Sequence, residues 1–282
     1  MNLSYYPGCS LHGSSKEYDS STRAVCEALG INLTELEDWI CCGASSGHSL
    51  SETLHTALPA QNLKIAAQSC QDLLVPCAAC YNRLKAAKYS MEESEEVRTE
   101  MMEVVGYDGS NSTAVLNMIE ILRDRIGLEK LRSRILRPLE GLKAACYYGC
   151  LLVRPKDMMA FDDPEHPDVM DEVVQALGAD TVRWSMKSEC CGGSLSLARA
   201  EIVQSLVDGI IESAEEAGAN AVVTLCPLCF ENLDMRQKTM DFPVFYLTEL
   251  LGLSLGLEEA GSWLKKHFHD PTKLLDSLRT NT

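Results

Sequence analysis

Positive charge is scarce in this chain. Its 282 residues hold 25 Lys and Arg against 41 Asp and Glu, a formal net charge of −16. That balance excludes nucleic acid as a partner, because binding phosphates requires clustered cations. Long apolar runs are missing too. The most apolar late stretch, residues 242–257, is broken by Thr248, Glu249 and two glycines. It is too short and too polar to span a bilayer, so no direct membrane insertion is expected. Met1 leads straight into a strand-like segment with no basic-then-apolar leader, which predicts a cytoplasmic location. The loop GxGxxG, which would cradle a flavin or nicotinamide dinucleotide, is absent. Any electrons the protein uses must therefore arrive from another chain.

Cysteine, by contrast, is abundant: there are 13, in a chain whose 46% hydrophobic content suffices for a substantial core. A disulfide-stapled secreted domain would be smaller and would carry a leader. In a reducing compartment, many ordered cysteines point to metal.

Their spacing is a repeat. A lone Cys9 is followed at a distance by Cys41-Cys42-Gly43, and then by Cys77-Ala78-Ala79-Cys80. A lone Cys150 is followed in the same way by Cys190-Cys191-Gly192, and then by Cys226-Pro227-Leu228-Cys229. The step from Cys42 to Cys77 has the same length as that from Cys191 to Cys226. The step from Cys150 to Cys190 is longer than its counterpart, and contains a polar, Pro-rich stretch at 154–167 that reads as a loop insertion. Similarity extends past the cysteines. Tyr5-Tyr6-Pro7-Gly8-Cys9 matches Cys146-Tyr147-Tyr148-Gly149-Cys150, and the segment from Val115 through Glu120 matches that from Val244 through Glu249. Two halves are predicted, 1–137 and 138–282, each carrying one five-cysteine set. Between its CxxC and its closing helix the first half is longer, by a Glu- and Met-rich piece at 90–112, expected to be a surface excursion or a docking site whose methionines pack on a partner.

Short apolar runs at 3–6, 73–75 and 221–225 lead into the cysteines and read as buried parallel strands. Between them, Ile202, Leu206, Ile210 and Ala214 recur as one helix face would, and Leu54, Leu58, Asn62 and Ala66 hold the same phase in the first copy. The predicted fold is α/β, with two pseudo-symmetric Rossmann-like halves, each a small parallel sheet flanked by helices. The cysteines then fall at strand carboxyl ends beside helix N-termini, which favour thiolate over thiol.

Five thiols per half is an informative number. Thiolate-only ligation suits iron–sulfur, zinc or Cu(I). Structural zinc takes four ligands, usually from two CxxC-like knuckles, and each half has one. Adjacent residues in extended chain point opposite ways, so Cys41 and Cys42 cannot easily chelate one small ion. A tight turn at Gly43, or at Gly192-Gly193, would let both face a bulkier inorganic core. A cubane four-iron cluster needs four cysteines, which leaves one per half either free for redox chemistry or part of an unusual cluster.

A distant Cys, then Cys-Cys-Gly, then CxxC, all occurring twice, resembles the cysteine-rich CCG-domain family. By length and by both motifs the chain is similar to the B subunits of heterodisulfide reductases. The iron–sulfur subunits of glycolate and lactate oxidases and of thiol-driven fumarate reductases resemble it more loosely. The resemblance implies two non-cubane [4Fe–4S] clusters. One is held by Cys9, Cys41, Cys42, Cys77 and Cys80, the other by Cys150, Cys190, Cys191, Cys226 and Cys229, with Gly43, Gly192 and Gly193 beside them. It further implies a disulfide captured between the clusters and released as two thiols. The best-known substrate of the family is the mixed disulfide of coenzyme M and coenzyme B, used in methanogenesis. Two partners are implied, a small ferredoxin-like iron–sulfur subunit and a flavin-containing iron–sulfur subunit. The competing expectations are an electron-transfer subunit that breaks no bond and a structural zinc protein.

Candidates outside the motif are few. Cys26, Cys70 and Cys146 sit in apolar contexts and are expected in the core. For an acidic substrate, Lys187 near the second double cysteine is the best-placed cation, followed by Arg199, Arg154 and Lys156. His12 and His48 lie near motif cysteines and could deliver protons to a thiolate product.

Overall fold

The structure, a computed structural model, describes residues 1–44, 47–110, 113–238 and 241–280. It is α/β, built on two four-stranded sheets, each wholly parallel. The first contains β1 (Asn2–Tyr5), β2 (Asn32–Glu35), β3 (Leu73–Leu74) and β4 (Val115–Leu116), in the order β2-β1-β3-β4. The second contains β5 (Lys143–Tyr147), β6 (Asp180–Thr181), β7 (Ala221–Thr224) and β8 (Val244–Tyr246), in the equivalent order β6-β5-β7-β8. Parallel pairing needs a crossover between successive strands, and helices supply each one. The inner strands β1, β3, β5 and β7 are almost entirely buried because helices cover both faces, which is why they read as unbroken apolar runs.

The halves clasp one another. Helix Lys16–Ala28 of the first half packs on helix Leu247–Ser254 of the second, where Ser21 and Thr248 share a hydrogen bond of 2.7 Å. Helix Val169–Ala176 of the second packs in turn on Leu128–Arg132 and on the π-helical turn Ile121–Ile126 of the first. The two segments that close the sheets share a start signal. Glu120 accepts from the Asn117 N–H at 2.9 Å, and Glu249 accepts from the Tyr246 N–H at 2.9 Å.

Several expectations need correction. In helix Ala200–Glu216 the buried residues are Val203, Val207, Ile210, Ile211 and Ala214, while Ile202 and Leu206 lie at the surface. The core face is shifted by about one residue from the expected one, and both the half-exposed Leu206 and the buried Val203 stand against the double-cysteine loop, each 3.1 Å from where a Cβ on Gly192 would lie. Leu58 stands against Gly43 in the same way. The acidic stretch after residue 90 is largely exposed, as expected, with Met102 at the surface, but it is tied to the fold. Ser94 caps helix Glu95–Val104, which folds back on helix Glu52–Ala67, and both Met91 and Met101 are buried in the chain's own core. Residues 111 and 112 of that stretch lie outside the described residues. Cys26 and Cys146 are buried, but Cys70 is exposed. It occupies a turn just past helix Glu52–Ala67, with φ of 53°. The stretch expected as a loop insertion carries a short helix, Lys156–Met159, and joins the halves: Asn82 donates to the carbonyls of Leu151 and Arg154, and Lys85 to that of Met159.

Candidate functional site

The carboxyl ends of β1 and β3, with the loop after β2, bring together Cys9, Cys41, Cys42, Cys77 and Cys80. The ends of β5 and β7, with the loop after β6, do the same for Cys150, Cys190, Cys191, Cys226 and Cys229. Cys77 and Cys226 occupy the N-cap positions of helices Ala78–Glu93 and Pro227–Met235, and Cys80 and Cys229 lie in their first turns. There the positive end of the helix favours thiolate. The Sγ atoms of Cys42 and Cys80 are 3.3 Å apart, those of Cys191 and Cys229 3.4 Å, and those of Cys9 and Cys41 4.0 Å. In each half three thiols are buried, and the remaining two lie at the rim.

The double-cysteine loops are held by the same device in both halves. The Tyr6 hydroxyl donates to the carbonyl of Ile40 at 2.8 Å, and the Tyr147 hydroxyl donates to that of Glu189 at 2.6 Å. Each anchored carbonyl belongs to the residue just before the cysteine pair. The chain then turns at Gly43 (φ 72°) and Gly192 (φ 77°), whose N–H groups donate to Cys41 and Cys190 Sγ at 3.5 and 3.3 Å. A Cβ on Gly8 would come within 2.9 Å of Cys80 Sγ, and one on Gly149 within 3.2 Å of Cys229 Sγ. Only glycine lets the strand-end backbone approach the thiols this closely.

Mutual contact divides the thiols electrostatically. Cys41 is held far below the ordinary thiol range by hydrogen bonding to Cys42 and Cys9 and by the Gly43 N–H. Cys190 is held near 6 by Cys150 and the Gly192 N–H. Cys42 is pushed up to about 11 by Cys41 and by its burial. Hydrogen bonding to Cys42 and Cys77, with burial, raises Cys80. Cys77 and Cys226 face each other across the boundary between the halves, and their contact raises the first and lowers the second. Crowding thus holds Cys41, Cys190 and Cys226 as thiolates and keeps their raised neighbours protonated; ionising those as well would require a cationic group among them.

A cavity of about 170 Å³ opens beside the second set. Cys150, Cys190, Cys191, Cys226 and Cys229 line it from one half, and Ala44, Ala78, Ala79 and Arg83 from the other. Among the described residues, no three His, Cys, Asp or Glu side chains gather around a point suited to one metal ion.

A model of the CCG domain, a cysteine-rich domain, matches residues 3–85 and 144–234, one copy around each thiol set. The chain belongs to this family. The 8-methylmenaquinol:fumarate reductase membrane anchor subunit of Wolinella succinogenes is 31% identical over 96% of this chain and 98% of its own. The ferredoxin:CoB-CoM heterodisulfide reductase B subunit of Methanosarcina mazei is 28% identical over 90% of this chain and 89% of its own. A crystal structure of a hypothetical protein from Helicobacter pylori superposes with a TM-score of 0.76 at 12% identity, covering 95% of this chain and 52% of that one. That likeness concerns the fold alone. Among the described residues, no helix is long and apolar enough to cross a membrane.

None of the cations singled out for substrate binding lines the cavity. Lys187 is ion-paired with Asp171 at 2.8 Å and donates to the Pro167 carbonyl at 2.9 Å. Its own carbonyl accepts from the N–H groups of Tyr148 and Gly149. It therefore fixes the turn into Cys150 and does not face the cavity. Arg154 binds Glu165 and the Ser188 carbonyl. Lys156 and Arg199 are exposed, and neither lines the cavity beside the thiols. His12 pairs with Glu35 at 3.0 Å. His48 falls in the short helix Gly47–Leu50, and its side chain lies outside the described residues. The cation that does line the cavity is Arg83, which sequence reasoning missed. The signal for it is a mismatch in the repeat: three positions past the CxxC, the first half has Arg83 and the second has Asn232.

Proposed function

We propose that the chain is an iron–sulfur subunit of a multi-subunit oxidoreductase and reduces a small disulfide to two thiols. Cys9, Cys41, Cys42, Cys77 and Cys80 hold one [4Fe–4S] cluster of non-cubane form, and Cys150, Cys190, Cys191, Cys226 and Cys229 hold the other. The observation that carries this reading is the pair of equivalent five-thiol sets at the strand ends of the two halves, beside a cavity walled by both halves. A disulfide has two sulfurs, and a two-fold site offers each the same kind of partner.

When bound, the clusters supply electrons one at a time and iron with an affinity for sulfur. The chain's own residues shape the rest. Ala78, Ala79, Leu151 and Leu228 give the cavity apolar walls that would exclude water around the second cluster and a sulfur brought to it. Gly43, Gly192 and Gly193 allow the double-cysteine loops to close on their sites. Cleavage consumes two electrons and two protons per disulfide and yields two thiols. With no dinucleotide-binding loop of its own, the chain receives those electrons from a small ferredoxin-like iron–sulfur subunit, itself fed by a flavin-containing iron–sulfur subunit. The relative from Methanosarcina mazei supports a disulfide substrate of the CoB-CoM kind, and a cytoplasmic site of action accords with it.

A second reading has its own support. The 31% identical relative from Wolinella succinogenes is named a membrane anchor subunit of a fumarate reductase that uses 8-methylmenaquinol. On that reading the same sites pass electrons between a quinol and a flavin subunit, and no bond is broken here. Anaerobic titration of the purified, cluster-loaded chain separates the two. Changes in the cluster spectra with a disulfide, and thiol release under a low-potential reductant, support the catalytic reading. Spectra indifferent to every disulfide, with oxidation and reduction only by quinone analogues, would establish the second.

A further inference from the structure

We infer that Arg83 is the acid-recognition residue of the cavity, and that it orients a substrate carrying a carboxylate, sulfonate or phosphate. The inference rests on the disulfide-reducing reading above and adds to it a substrate class and a direction of binding. Among the described residues lining the cavity, Arg83 is the one cationic side chain. It comes from the first half, yet it lies within electrostatic reach of Cys42 in that half and of Cys150 in the other. Its Nε is buried and has no hydrogen-bond partner among the described residues. An unpartnered buried donor is costly, so such a group commonly waits for an acceptor that is absent from the chain itself.

The repeat sharpens the point. Asn232, at the equivalent place in the second half, is spent locally: it donates to the Cys191 carbonyl at 3.0 Å and accepts from Ser196 at 2.9 Å. The two-fold symmetry of the thiols is therefore broken by a single positive charge. A symmetric site would take an unsymmetrical disulfide either way round. With Arg83 on one wall, a substrate acid group is drawn to that wall, and the planar guanidinium can grip it with two hydrogen bonds.

The test uses the cluster-loaded chain under anaerobic conditions and three probes: dithiodipropionate, its neutral dimethyl ester, and glutarate, an acid with no disulfide. Calorimetric binding should favour the acid disulfide over its ester by about tenfold or more, the gain expected of a charge-assisted contact. Arg83→Gln should bring the two within about twofold, and Arg83→Lys should keep part of the preference. A wild-type chain with no preference, or an Arg83→Gln variant that retains it, overturns the inference. Because the acid-to-ester comparison is made first within the wild type, a poorly folded variant cannot rescue the idea. If glutarate and the acid disulfide both bind in an Arg83-dependent way while neither disulfide is reduced, Arg83 keeps its role and the disulfide reading falls. If both disulfides are reduced without regard to charge, the disulfide reading stands and the role of Arg83 falls.

Discussion

The hydroxyl of Tyr18 lies 2.8 Å from the carbonyl oxygen of Leu225, and the carbonyl of Pro76 sits at 3.0 Å from the same hydroxyl. Those carbonyls belong to the residues immediately before Cys226 and Cys77. One fully buried phenol therefore fixes the backbone entering both of the cysteines that face each other. Its ring stacks on Tyr246 at 4.1 Å, which stacks on Phe230 at 4.0 Å, so the anchor is itself held by the second half. Tyr18→Phe keeps the stack and removes the hydroxyl. Urea denaturation should show a loss of about 1–3 kcal/mol, the cost of leaving buried acceptors short of a donor. The electron paramagnetic resonance of the loaded chain should change as well. A variant with unaltered stability and spectra would show that the phenol does not set the geometry of the pair.

The tyrosines that hold the double-cysteine loops should differ in importance. The Ile40 carbonyl accepts from the Asn62 side chain at 3.0 Å as well as from Tyr6, whereas Tyr147 is the side-chain donor on the Glu189 carbonyl. Tyr147→Phe is therefore expected to lose iron faster to a chelator than Tyr6→Phe, with about 1 kcal/mol separating their stabilities. Equal rates of loss would contradict the account.

Glycine at the strand ends is tested by alanine. Gly8 has φ of 71° and Gly149 φ of 64°, a conformation that costs an L-residue about 1–2 kcal/mol. The added methyl also meets a thiol, more severely at Gly8 (2.9 Å) than at Gly149 (3.2 Å). Gly8→Ala should accordingly reduce iron content more than Gly149→Ala when both are loaded in parallel. The reverse order would mean that contact with the thiol is not what matters.

A pH effect is expected far from the thiols. His267 and Glu249 are fully buried and 2.9 Å apart. Burial lowers the His267 value, but hydrogen bonding and attraction to Glu249 outweigh it and raise it above the ordinary 6.5. With the folded value raised, the contribution of the pair is complete below about pH 6.5 and is lost as pH rises through the folded value. The melting temperature of the wild type should fall across that window. His267→Gln should flatten the dependence while lowering stability at acid pH by about 3 kcal/mol. A wild-type profile parallel to that of the variant would remove the pair from the account.

Much of this architecture is legible in the residue order, because a duplicated cysteine spacing survives without the structure. Equal steps from the double cysteine to the CxxC place both sets on equivalent strands. Apolar runs mark the inner strands because burial on both faces demands it. What is not legible depends on contacts between elements far apart in the chain. Periodicity alone cannot tell a leucine facing the core from one facing the glycine of a loop, so it places the face containing Leu206 one position off. Lys187 reads as a free cation because Asp171, its partner, lies on a different element. Arg83 reads as ordinary helix surface because the wall it completes belongs largely to the other half. Cys70 reads as apolar by its neighbours, but it falls in an exposed turn past the end of helix Glu52–Ala67.

The central claim is that two clusters are held by two sets of five thiols. Anaerobic analysis of iron, acid-labile sulfide and zinc in the purified chain, together with Mössbauer spectra, tests it most directly. The account predicts about eight irons and about eight sulfides per chain. It further predicts that Cys77→Ser and Cys226→Ser each alter only part of the spectrum, because each thiol serves a different set. Stoichiometric zinc with little sulfide, or iron content indifferent to both substitutions, would contradict it.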